Sequence, residues 1–284
     1  MGIPDAPGTD PLAGNPAIVL IHGLWMTPRS WEHWVQRYQR RGYEVLTPAY
    51  PGLEGDVEAL REDSSPIEAL TIPDTLAHLE GLVRGLDRPP FIMGHSFGGL
   101  FTQLLLDRRL GAAGVAIDSV PPEGVHTLPA SQIRSVFPVL DNPANRHRAV
   151  PFTPKQFHYA FTNTLDEEAS AAVYERYHIA APGSWVWGGV LANLTPGHND
   201  TWVNFHNHER APLLLIAGAA DHLMPASVTR SNVDHYAKSG AHTDYKEFAD
   251  RSHYTIGEPG WEAVADFALN WANEHTGRGL LSTA

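Results

Sequence analysis

The 284-residue sequence contains no cysteine. Disulfides, thiolate metal centres and a cysteine nucleophile are thereby excluded, and the chain is expected to suit a reducing compartment such as the cytoplasm. Basic residues are scarce: 20 Lys and Arg against 32 Asp and Glu give a formal charge of -12, and the few cations are scattered. A phosphate backbone would be repelled, so nucleic acid is not an expected partner. No apolar run approaches the roughly 20 residues of a bilayer span, so no membrane span is expected. The opening, residues 1–16, is rich in Pro, Gly and Asp and lacks the basic and apolar regions of a secretory signal. What is present is 43% hydrophobic and only 18% charged, enough apolar side chain to bury a large core. One globular domain carrying an insertion is the expected organisation.

From residue 17 onward, short apolar runs alternate with longer segments of helical period. That pattern predicts an α/β fold, with a mostly parallel sheet flanked by helices. Residues 17–21 are β-branched and nearly continuous, as in a strand buried on both faces. Thr27-Pro28 offers a helix N-cap and a first-turn proline, with Trp31, Trp34, Val35 and Tyr38 at helical spacing before Gly42. Residues 43–47 read as a strand, and after a loop Ile72, Leu76, Leu79, Val83 and Leu86 mark a helix. Further strands are expected at 91–93, 114–118, 212–218 and 245–249, with helices after Ser96 and over about 226–238 and 260–274. The core is therefore expected to comprise residues 1–120 and 211–284. Between them, over 121–210, the alternation gives way to a stretch rich in proline, histidine and aromatics, read as a helical cap inserted after the strand ending near Asp118.

Gly94-His95-Ser96-Phe97-Gly98 fits the pattern G-x-S-x-G between an apolar strand and an apolar helix. Such a turn needs glycines where side chains would strike the strand or the helix, and it lifts the serine hydroxyl above the sheet edge. A serine in a glycine-lined turn can also serve merely as a helix cap, which is the bland alternative. The Phe97 amide, at the helix N-terminus, is a candidate oxyanion donor. A second is Leu24, in His22-Gly23-Leu24-Trp25 directly after the first strand. A serine hydroxyl needs a base to take its proton and an acid to hold that base's tautomer. With 16 histidines present, position rather than identity selects the base. His253 follows the last expected strand on a loop at the carboxyl edge of the sheet. Asp221 follows the strand at 212–218 and reaches the same edge; Asp118, after the strand at 114–118, is its rival.

Through Ile21-His22-Gly23-Leu24-Trp25, Gly94-His95-Ser96-Phe97-Gly98-Gly99, Gly218-Ala219-Ala220-Asp221 and Ser252-His253, the chain resembles the α/β-hydrolase superfamily over residues 17–275. Within it, the likeness is to bacterial esterase and lysophospholipase-like proteins. The resemblance implies an α/β-hydrolase fold and acyl transfer to water, with Ser96 as nucleophile, His253 as base, Asp221 as acid and no cofactor. Two features depart from the family: Ser252 stands where glycine usually precedes the histidine, and little chain precedes Ala17 for two opening strands.

Aromatic side chains crowd the insertion, and Trp185 and Trp187, with Trp25 and His95 from the core, are candidate walls of a pocket for a small acyl substrate with an apolar portion. Packing of a helical cap explains many of these rings equally well. His206 and His208, with His198 and Asp200 nearby, form an H-x-H pattern whose spacing fixes no third ligand, so no metal is expected. Ester, lactone, thioester, amide and carbon-carbon substrates stay open. So do lyase or perhydrolase chemistry on the same residues and a slow-turnover sensor.

Overall fold

The structure, a computed structural model, describes residues 14–191 and 198–277. Chain order gives β1 (Ile18–Ile21), a 3-10 turn (Pro28–Trp31) running into α1 (Glu32–Gln39), β2 (Val45–Leu46), α2 (Val57–Glu62), α3 (Ser65–Glu68), α4 (Ile72–Arg84), β3 (Phe91–His95), α5 (Phe97–Asp107) and β4 (Ala113–Ile117). Then follow α6 (Ala130–Leu140), β5 (Ala149–Val150), α7 (Pro154–Phe161), α8 (Glu167–Tyr177), β6 (Ala181–Pro182) and α9 (Gly183–Leu191). β7 (Leu213–Gly218), α10 (Ala226–Tyr236), β8 (Thr243–Phe248) and α11 (Trp261–His275) complete the order.

Six strands form one parallel sheet in the order β2-β1-β3-β4-β7-β8. The architecture is α/β, a parallel sheet flanked by helices, as the resemblance leads one to expect. Strands β1, β3, β4 and β7 are buried along their whole length, because helices cover both faces and only apolar side chains can fill them. β2 and β8 are the edges and are half-buried. The polar run Thr-Asp-Tyr-Lys-Glu explains why β8 begins two residues before its expected start: an edge strand needs no continuous apolar stretch to mark it. The expected loop between β2 and α4 contains α2 and α3, too short to print a helical period on the sequence. β5 and β6 pair antiparallel as a separate two-stranded ribbon between β4 and β7. Among the described residues no helix is long and apolar enough to cross a membrane.

Chain direction across the sheet reverses between β1 and β3, since β2 lies on one side of β1 and β3 on the other. Loops leaving the carboxyl ends of two such strands splay apart and open a crevice. β1 ends at His22-Gly23 and β3 at Ser96, so the crevice falls between the two motifs.

Helix α5 is buried on every side from Phe97 to Leu106 and packs on β1, β3 and β4. Its close seat depends on glycines. A Cβ at Gly98 would lie 2.0 Å from the Ile21 carbonyl oxygen, and one at Gly94 2.0 Å from that of Gly98. Both obstacles are backbone, which cannot rotate away. Gly98→Ala is therefore expected to destabilise the fold by more than about 3 kcal/mol, beyond the usual range for overpacking. Gly81→Ala in α4, where nothing lies within 4 Å of the added carbon, should stabilise by about 0.5 kcal/mol. Urea unfolding of the two variants measures the contrast, and equal effects would remove the steric account.

Candidate active site

Ser96 sits between β3 and α5 at φ 56 and ψ -118, a region that residues with a Cβ avoid. The strain is held by β3 pairing on both sides and by the two glycine contacts described above. Although Ser96 is the residue preceding α5, its side chain makes no cap hydrogen bond. The bland helix-cap role is therefore not the one it plays.

Gly23 brings the β1 loop against the serine: a Cβ there would lie 2.7 Å from Ser96 Cβ and 3.1 Å from the His95 carbonyl oxygen. Leu24 follows Gly23 directly, and Phe97 opens α5, where amides have no carbonyl one turn back within the helix. The loop is held from beneath. His22 Nδ1 lies 2.8 Å from the Gly23 carbonyl oxygen, and the Tyr50 hydroxyl donates to the His22 carbonyl. Trp25, at φ 62, stacks on Phe152 at 4.3 Å and donates from Nε1 to the Val150 carbonyl at 3.0 Å.

His253 and Asp221 meet. Imidazole Nδ1 is 2.7 Å from Asp221 Oδ2, and both side chains are fully buried. Asp221 Oδ1 accepts from the Leu223 and Met224 amides at 2.7 and 2.8 Å, so three N–H groups converge on this carboxylate. His253 Nε2 is buried and has no hydrogen-bond partner among the described residues. Phe161 stands edge-on over the ring at 4.7 Å. Burial holds the imidazole down to about 3, far below its ordinary 6.5, so it is neutral at neutral pH.

The rival acid is close but differently engaged. Asp118, at φ 43, accepts from the Gly218 amide at 2.6 Å, and its Oδ2 has no hydrogen-bond partner among the described residues. Burial, and then the neighbouring Asp221 charge, push its carboxyl well above the usual range. Burial also raises Asp221, to about 8, against the pull of the Met224 and Leu223 amides. Of these two carboxyl groups, Asp221 is the one that faces the imidazole.

His95 is buried and does not line the cavity at Ser96; its Nε2 lies 2.7 Å from the His253 carbonyl oxygen, so the ring clamps the His253 backbone. Sequence reasoning missed Glu258. Its Oε1 accepts from the Ser252 amide at 2.9 Å, and its Oε2 from the Ser252 and Thr164 hydroxyls at 3.1 and 2.6 Å. Ser252, where the family usually has glycine, is thereby accommodated by a buried carboxylate that ties the His253 loop to the chain between β4 and β7. The only signal was an acidic residue within Gly257-Glu258-Pro259-Gly260, and its distant partner left no trace there.

A cavity of about 440 Å³ opens at Ser96 and is walled largely by apolar side chains, among them Trp25, Phe97, Val136, Trp185 and Leu223. Trp185 is buried against Tyr50, Phe97 and Phe101 and donates to the Leu70 carbonyl at 3.1 Å. Trp187 does not line this cavity. Two residues apart on one helix, the two rings leave α9 about 200° apart and cannot share a wall. The H-x-H histidines do not converge on a ligand set among the described residues. His208 accepts from the Gly240 amide at 2.7 Å, and His198 packs on Trp202.

Comparison with known proteins bears on the fold. A search among curated protein sequences finds no match. Solved structures resemble the chain at low identity. One is an extracellular α/β-hydrolase from a Paenibacillus species, described as sharing structural and functional homology with tobacco salicylic acid binding protein 2 (18% identity, TM-score 0.65, covering 90% of this chain and 98% of the other). Another is a monoacylglycerol lipase of Paleococcus ferrophilus (18%, 0.63, 92% and 96%), and a third is polyneuridine aldehyde esterase (15%, 0.62, 91% and 99%). The sequence itself matches the family model described as "Alpha/beta hydrolase family" over residues 18–267, from β1 into α11. A match of that length, on a parallel sheet with Ser96 at its strand-to-helix turn, makes the chain a member of the α/β hydrolase family.

Proposed function

We propose that the chain is a serine hydrolase that cleaves carboxylic esters of small molecules with an apolar portion, through an acyl-Ser96 intermediate. The observations that support the reading are the strained Ser96, free of the cap role and lining the apolar cavity, and a buried imidazole that is paired with a carboxylate and packs at 4.6 Å against the ring of His95, the residue before Ser96. Structural neighbours named as a lipase and an esterase favour an ester over the other acyl bonds.

In this reading Ser96 Oγ attacks the ester carbonyl as its proton passes to His253 Nε2. Asp221 holds the Nδ1–H tautomer and stabilises the imidazolium. The Phe97 and Leu24 amides receive the oxyanion, each worth about 3 kcal/mol of barrier. The imidazolium then protonates the leaving alcohol, and water, deprotonated by the same ring, releases the acid. No cofactor is needed. Residues 121–210 act as the cap, and through Trp185 they share the pocket with Trp25.

Ser96→Ala is expected to lower turnover of a p-nitrophenyl ester on the order of a million-fold and to abolish labelling by a fluorophosphonate. Labelling that persisted at another residue would overturn the assignment. Asp221→Asn should cost about 10⁴ in kcat, whereas Asp118→Asn should cost less than about tenfold; the reverse order would exchange the two roles. Because the reaction needs neutral His253 and burial lowers that group, the acid limb of kcat/KM should lie well below 6.5. Activity then persists as the pH falls through the ordinary histidine value and is lost only as the buried ring takes a proton. A limb at or above 6.5 would show that the imidazole is solvated in the working enzyme.

A further inference from the structure

At the β8 edge of the sheet, His242, Asp244 and His275 bring three ligand atoms within 4.8 Å of one another. We propose that this cluster is a binding site for a divalent transition-metal ion, with zinc the best-matched candidate. The proposal does not depend on the ester-hydrolase reading, for these residues stand apart from Ser96, His253 and Asp221.

His242 directly precedes β8 and Asp244 lies within it, so at i and i+2 they share one face of the strand. His275 is the last residue of α11. Both imidazole Nε2 atoms approach the same oxygen, Asp244 Oδ2: His242 at 2.8 Å and His275 at 3.5 Å. Tetrahedral zinc with bonds near 2.0–2.1 Å sets its donors roughly 3.3 Å apart, between those two distances. Two nitrogens and one carboxylate oxygen form a borderline donor set that suits zinc, copper or nickel and not magnesium or calcium. The side chains are 25% to 49% exposed, leaving a path for the ion and room for water to complete its shell.

The surroundings orient the donors. His275 Nδ1 is 2.8 Å from the Trp271 carbonyl oxygen. A carbonyl only accepts, so Nδ1 carries a hydrogen, and Nε2 is the ring atom turned to the cluster that a metal ion would take. The Trp271 indole donates to Asp244 Oδ2 at 2.7 Å, and the His275 ring stacks on that of Trp271 at 4.4 Å and on that of His242 at 4.5 Å. The His242 backbone is fixed as well, its carbonyl accepting from the Leu213 amide and from Arg210. An ion here would fasten the edge strand to the last helix.

The full chain, stripped with chelator and dialysed, is titrated calorimetrically with zinc chloride, with magnesium chloride as control, and melted with and without zinc. One equivalent of zinc should bind and raise Tm, while magnesium should do neither. His275→Ala and Asp244→Asn should each weaken zinc binding by more than about tenfold and abolish the rise in Tm, with ester turnover unchanged. If either variant fails to fold, His242→Gln, altering a ring outside the helix, takes its place. Absence of zinc uptake by the parent chain, or uptake that these substitutions leave unaltered, would overturn the site.

Discussion

At the Ser96 turn, backbone approaches backbone more closely than any side chain would permit. Gly98 passes beneath the Ile21 carbonyl, and Gly94 passes beside Gly98, so that α5 begins immediately at the end of β3. Everything at the crevice inherits that contact. It holds the turn at Ser96 at positive φ and lets the β1 loop lie against Ser96 through Gly23. The cost in backbone strain, about 1–3 kcal/mol per residue, is offset by the burial of α5 on every side. A helix with one solvent face would supply less of that burial.

Electrostatics around His253 follow from the same burial. Three carboxyl groups, Asp118, Asp221 and Glu258, are each buried near one neutral imidazole. Burial of carboxyl groups at this density is costly unless hydrogen bonds offset it. Glu258 receives an amide and two hydroxyls, and Asp221 receives two amides and the imidazole N–H. Asp118 receives one amide and holds an oxygen without a hydrogen-bond partner. Burial raises both aspartates, and Asp221, which receives the more donors, is the one paired with the imidazole.

Local features were readable from the sequence, and distant ones were not. The Ser96 turn was legible because strand, glycines and helix are contiguous, and the sheet because its central strands are unbroken apolar runs. Both Asp221 and Asp118 follow parallel strands, so the pattern favoured Asp221 without excluding Asp118; it is Asp221 that lies 2.7 Å from His253. Glu258 escaped notice because its bond to Thr164 spans 94 residues. The pairing of Trp185 with Trp187 failed for a geometric reason available in advance, the angle between residues two apart on a helix. His95 was assigned to the pocket on adjacency to Ser96, yet its ring serves the His253 backbone.

Access to the two halves of the proposed chemistry is unequal. Ser96 lines the cavity, whereas His253 is wholly buried under Phe161 and is not part of the cavity wall. In the proposed reaction, then, the water that attacks the acyl-serine reaches His253 Nε2 only by way of the opening that the acyl group itself occupies. Apolar walls that favour the acyl chain exclude water by the same physics. In that reaction, binding of a longer chain and its hydrolytic release are opposed within one cavity, and side chains of its wall, Trp25 and Trp185 among them, bear on both at once.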